Sequence, residues 1–343
     1  MVRSVSPLCA DSSFQDAQLP QRMKTDEERK MYKIVSRLLI YGDMPNDTIL
    51  MQLADITRKA DDKSQTKEEL VTRTFTQIKH LLQVATDYGF DKNLWQNYLT
   101  FLLITNENPF SITCEKVGAN DGSVNYFAKS DFKAFMELFH YDFSGLEEYL
   151  GIDCFTRLTN YKAIGKKELM YNKNVSEKVR MLSEKLAAAA DEDAFFDAVT
   201  GFYKAYGVGM FGLNKAFRIQ SREDGGVNFC AINNMDAVML DDLIGYEIQK
   251  KKLVDNTLAF VEGKKANNVL LFGDSGTGKS TSIKAIVNEF YDQGLRMIEI
   301  YKHQFKDLSS VIAQIKNRNY RFIIYMDDLS FEEFEIEYKF LKA

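Results

Sequence analysis

The sequence predicts an α + α/β chain, a helical N-terminal domain followed by the first part of a parallel-sheet domain. Three observations carry that expectation. Apolar residues recur at helical spacing from about residue 24 to 220, strand-like and helix-like runs alternate beyond residue 227, and only four prolines interrupt 343 residues.

The length suits two domains, and 45% apolar with 27% charged residues is enough to build a core in each. The net charge of −5 supplies no global basic field, so nucleic acid is not an expected partner. Apolar runs such as Phe101-Leu102-Leu103-Ile104 fall far short of the roughly 20 residues that cross a bilayer, so no membrane span is expected. Cys9, Cys114, Cys154 and Cys230 are scattered without a C-x-x-C pair, which fits free thiols in a cytoplasmic protein. Residues 1–23 lack the apolar core of a signal peptide and read as a disordered lead.

Within the helical domain, residues 24–220, the clearest element runs from Lys67 to Tyr88. Thr66 and Glu69 form a capping box, Gly89 stops the helix, and Leu70, Phe75, Ile78, Leu81, Leu82 and Ala85 are expected on its apolar stripe. Similar stripes occupy 175–190 and 193–206. The polar run Ser221-Arg222-Glu223-Asp224-Gly225-Gly226 is the expected domain boundary. In the second domain, 227–343, strands are expected at 268–272, 296–300 and 322–326, with helices at 279–291 and 308–316. That alternation predicts a parallel sheet with helical crossovers.

Gly273-Asp274-Ser275-Gly276-Thr277-Gly278-Lys279-Ser280 satisfies G-x-x-x-x-G-K-[ST], the phosphate-binding P-loop pattern. An apolar run precedes it and a helix follows. The backbone N–H groups of 276–280 should therefore converge at a helix N-terminus, where anions bind. Gly276 and Gly278 allow close backbone approach. Lys279 is expected on the β- and γ-phosphates of ATP, and the Ser280 hydroxyl on Mg2+. The run Phe322-Ile323-Ile324-Tyr325-Met326 ends in Asp327 and Asp328, 48 and 49 residues after Lys279. Carboxylates at that strand end would sit at the edge where α/β ligands bind, Asp327 holding the metal through its waters and Asp328 polarising the attacking water.

Competing motifs lack context. Gly207-Val208-Gly209-Met210-Phe211-Gly212 spells G-x-G-x-x-G but follows a helical pattern, not a strand. Asp142-Phe143-Ser144-Gly145 precedes the P-loop, the wrong order for a GTPase switch. His80, His140 and His303 are isolated. Glu332, Glu333, Glu335 and Glu337 read as a solvated helix face backed by Phe331, Phe334, Tyr338 and Leu341.

Leu240-Asp241-Asp242-Leu243-Ile244-Gly245-Tyr246-Glu247 resembles the segment that cradles adenine in AAA+ ATPases. The chain is similar in particular to the bacterial AAA+ proteins catalogued as domain of unknown function 815. The resemblance is carried by Gly245 to Lys250, Ala266 to Leu271, Gly276 to Ser280, Gly294 to Glu299, Arg321 to Ile323 and Asp327 to Glu332. Weaker similarity, including Phe211 and Phe217-Arg218, extends it into the helical half. The resemblance implies an ATPase that acts on an unidentified protein partner and assembles as a homo-oligomer in its complete form. It implies nucleotide contacts at Ile244, Gly245, residues 273–280 and Thr281, with Lys279 and Asp328 catalytic. Asp328 stands where most such proteins have glutamate. The chain stops at Ala343, 16 residues after Asp327. It is therefore expected to be a partial module without a sensor residue, arginine finger or helical lid. An alternative is an ATP-dependent binding module or switch without significant turnover.

Overall fold

The computed structural model describes residues 30–163, 173–232, 235 and 238–327. Eleven helices precede the sheet among these residues. They are α1 (Met31–Val35), α2 (Ile49–Asp62), α3 (Lys67–Tyr88), α4 (Leu94–Thr105), α5 (Pro109–Val117) and α6 (Ser123–Phe139), then α7 (Ser144–Leu150), α8 (Cys154–Leu158), α9 (Lys173–Ala187), α10 (Glu192–Tyr206) and α11 (Gly209–Leu213).

Capping explains why α3 starts and stops where it does. Glu69 N–H donates to Thr66 Oγ1 and Thr66 N–H donates back to the Glu69 carboxylate, while Gly89 closes the helix in the left-handed conformation. Its buried seam is Leu70, Thr74, Gln77, Leu81 and Ala85. Phe75, expected on that stripe, is half exposed. It lies five positions, or about 140°, around the helix from Leu70. The helical core closes on aromatic side chains, with Tyr41, Phe110, Phe132, Phe135, Phe195 and Tyr203 fully buried. At its centre the Tyr41 and Tyr203 hydroxyls meet at 2.7 Å, and Tyr203 donates to Leu103 O. That pairing satisfies polar atoms which burial would otherwise strand.

The sheet has four strands, β1 (Ala216–Ser221), β2 (Val227–Ala231), β3 (Leu295–Glu299) and β4 (Arg321–Tyr325), in the order β2-β1-β3-β4. β1 and β2 form an antiparallel hairpin, whereas β1, β3 and β4 run parallel. The sheet is therefore mixed, not purely parallel. The polar run 221–226 is the turn of that hairpin, so sheet structure begins at Ala216. Turn and linker share one polar, Gly-rich composition, and only the pairing tells them apart.

Helices α12 (Glu247–Val261) and α13 (Lys279–Phe290) cover one face, and α14 (Leu308–Ile315), the crossover from β3 to β4, covers the other. β3 is buried on both faces, as a central parallel strand should be. The run 268–272 corrects a sequence expectation. It forms no strand, and Leu270 and Phe272 are exposed, Phe272 by 89%. It is tethered upstream by paired amide hydrogen bonds between Asn256 and Asn267. Among the described residues no strand lies beside it to complete a ladder, and apolar composition alone cannot make one.

Gly207 and Gly209 also have structural duties. Gly207 ends α10 at φ +82°, where a side chain would collide with the Tyr320 hydroxyl, and Gly209 begins α11. No helix among the described residues is long and apolar enough to cross a membrane.

Candidate phosphate and metal site

α13 begins at Lys279, directly after Gly278 in the left-handed conformation. Gly273, Gly276 and Gly278 have φ of +146°, +79° and +80°. Any L-residue would be strained at these values. A methyl group at Gly276 would meet no protein atom within 4 Å, so packing does not require that glycine. Its backbone conformation and the open space above it leave room for a phosphate to approach. Thr277 Oγ1 donates to Asp274 O at 2.9 Å and braces the turn. Asp274 and Ser275 lie exposed on the rim. Lys279 Nζ folds back over the loop, donating to Gly273 O at 3.0 Å and Asp274 O at 2.8 Å. Its charge thus lies over the loop, close to the positive end of the α13 dipole. Thr281 follows in the first turn.

Side chains alternate faces along β4, so Ile323, Tyr325 and, past the strand end, Asp327 face α13. The consequence is a short chain of hydroxyls and carboxylate. The Tyr325 hydroxyl donates to Ser280 Oγ at 2.8 Å, and Ser280 Oγ–H donates to Asp327 Oδ2 at 3.4 Å. Burial pushes the Tyr325 phenol up to about 12, so it stays a donor at neutral pH. The sequence reading missed Tyr325. Its signal was its position two residues before Asp327 on one strand, hence the same face.

Beside Tyr325 in register lies Glu299 at the end of β3, ion-paired to Arg218 of β1 at 2.6 Å. The site therefore sits at the C-terminal edge of three parallel strands.

The segment Leu240–Asp242 is a short 3-10 turn packed on α13, and its neighbour Leu243 reaches the loop. A methyl at Gly278 would lie 3.8 Å from Leu243 Cδ2. Lys250 of α12 holds that segment by donating to Leu243 O at 2.7 Å. Gly245 and Tyr246 both have positive φ, and Ile244 between Leu243 and Gly245 is 94% exposed. Of this expected cradle, the Leu243 side chain borders the loop at Gly278. Asp328, the expected base, lies outside the described residues, as do Phe331, Phe334, Tyr338, Leu341 and the acidic run between them.

Among the described residues no group of three or more His, Cys, Asp or Glu gathers into a metal cluster. Ser280 and Asp327 supply two oxygens, which suits Mg2+, an ion usually held by few protein ligands together with water and phosphate.

Residues 213–343 match the family described as protein of unknown function (DUF815). The match begins just before β1 and takes in the whole sheet and the phosphate loop. The helical core before residue 213 lies outside it, so the similarity read in the sequence extends less far than expected. No match was found among curated proteins or among solved structures.

Proposed function

We propose that this chain binds ATP with Mg2+ at the 273–280 loop, as an AAA+-type module does, and couples nucleotide turnover to rearrangement of a protein partner. One observation carries the reading. Ser280, the hydroxyl that follows the loop lysine, and Asp327, a strand-end carboxylate 47 residues on, are hydrogen-bonded to each other beside the glycine loop. That is the pairing a P-loop metal site needs, and neither packing nor capping requires it.

In this reading the loop N–H groups and Lys279 hold the phosphates, and Leu243, Ile244 and Gly245 border the base. Ser280 and Asp327 hold the metal, with Tyr325 fixing the Ser280 rotamer. Bound Mg2+ would neutralise phosphate charge and orient the terminal phosphoryl group. Asp328 would take the proton of the attacking water.

The test is calorimetric titration of the protein with ATP and Mg2+. Lys279→Ala should weaken binding by about tenfold or more, since it removes a charge-assisted contact. Equal affinity in the two proteins would refute the site.

A further inference from the structure

A second polar cavity, of about 440 Å³, lies between the helical core and the sheet. It is lined by Glu115, Lys178 and Lys204 on one side and Asp292, Arg296 and Tyr320 on the other. The volume lies within the range of small-molecule sites.

Its charge is unbalanced. Arg296 is 3% exposed and its guanidinium is sandwiched between the Tyr291 and Tyr320 rings, 4.0 and 4.5 Å from their centroids. Its Nε and Nη1 donate only to main-chain carbonyls, of Phe211, Tyr291 and Leu295. Nη2 has no protein acceptor among the described residues. Lys178 is 8% exposed and donates to Gly212 O and the Tyr291 hydroxyl. No carboxylate among the described residues ion-pairs with either cation. Burial and the neighbouring Arg296 depress the Lys178 amine to about 7.

Of the carboxylates nearby, Glu115 commits only one oxygen to other donors, its buried Oε1 having no protein partner among the described residues. Glu115 Oε2 accepts from Arg318 Nη2, the Tyr320 hydroxyl and Val208 N–H. Glu107 also pairs with Arg318, at 2.8 Å. Among the residues that line the cavity, the three cations Lys178, Lys204 and Arg296 face the two carboxylates Glu115 and Asp292. Arg296 Nη2, a donor without a protein acceptor on an otherwise buried side chain, is placed to meet an anion in the cavity.

We propose that this junction cavity binds a small organic oxyanion, a phosphate- or carboxylate-bearing metabolite, whose anionic group is held by Arg296 Nη2 and Lys178. Lys204 on the exposed rim adds steering charge. The aromatic rings fix the two cations rather than stacking on the ligand, so the anionic group sets the specificity. The site is separate from the phosphate loop and does not depend on the nucleotide reading.

The experiment is calorimetric titration of the full chain with inorganic phosphate and with citrate, in a Lys279→Ala background that weakens the loop, the Arg296 and Lys178 variants assigning the binding that remains. Saturable binding is expected, favouring phosphate or citrate according to which oxyanion the cavity takes. Arg296→Lys and Lys178→Met should each weaken it by about tenfold or more. Lys204→Glu, a surface change that leaves the fold intact, should weaken it several-fold. Circular dichroism establishes which variants fold, and if the two buried variants do not, Lys204→Glu decides alone. Absence of binding to the Lys279→Ala protein, or unchanged affinity in the folded variants, overturns the proposal.

Discussion

Glu115→Ala, at the wall of the junction cavity, should cost about 3–5 kcal/mol of stability. Glu115 is 1% exposed and is the one helical-core carboxylate onto which Arg318, Tyr320 and the Val208 N–H converge. Hydrogen bonds to a charged acceptor are each worth about 1.5–3 kcal/mol. Three would exceed the figure given, but they are not independent. Arg318 keeps Glu107, and Tyr320 already lies 3.5 Å from Tyr206 O, a second acceptor. Burial works against the Arg318 charge while Glu107 and Glu115 raise its pKa, so losing one partner leaves the cation half-compensated. Glu115→Gln keeps the shape and one acceptor oxygen and should cost about half as much. Urea unfolding followed by circular dichroism measures both. A loss below about 1 kcal/mol in the alanine variant would show that the junction does not depend on this carboxylate.

Asp327→Asn should impair nucleotide binding when Mg2+ is present and change it little when the metal is chelated, read by titration in the two buffers. Tyr325→Phe should leave the folded structure within about 0.5–1.5 kcal/mol of the parent and lower magnesium dependence, since only one hydroxyl contact to Ser280 is lost. Lys178 has a folded pKa near 7, below its ordinary value of 10.5. Between these values the unfolded chain binds more protons, so stability should rise with pH from about 7 to 10, and Lys178→Met should remove that slope in paired melts. Phe272→Ser should raise solubility in a turbidity assay without lowering the melting temperature, because the ring it removes is exposed.

Helices and phosphate loop were legible because their signals are local. The Thr66–Glu69 box and the Gly89 stop are each written within a few residues and form as read, and the helix expected after the 273–280 motif begins at Lys279. What escaped depends on partners distant in sequence. The run 268–272 has strand composition but no neighbour to pair with. Phe75 is apolar yet lies off the seam that α2, α4 and α9 define. The 207–212 glycines spell a nucleotide fingerprint, but their conformations serve the turn from α10 into α11 and the close approach of Tyr320. Arg296 was read only as part of a strand. Tyr291 lies five residues before it, but nothing in that spacing reveals that Tyr320 closes the other face of its guanidinium.

The pairing of β1 with β3 has a consequence for the order of assembly. Ala216 and Met297 are register partners roughly 80 residues apart, and closing a loop of that length costs about 4 kcal/mol before any strand contact repays it. The helical core also closes over long separations, Tyr41 meeting Tyr203 across 162 residues, but every residue of its apolar cluster has been made by residue 213. During synthesis the helical core should therefore condense first and wait, with Glu115 still lacking Arg318 and Tyr320. Only when β3 and β4 have emerged can the sheet close, and that same event brings Ser280 to Asp327 and seals the junction. Mutations that slow β1–β3 pairing would leave a long-lived species with a formed helical half and no phosphate site.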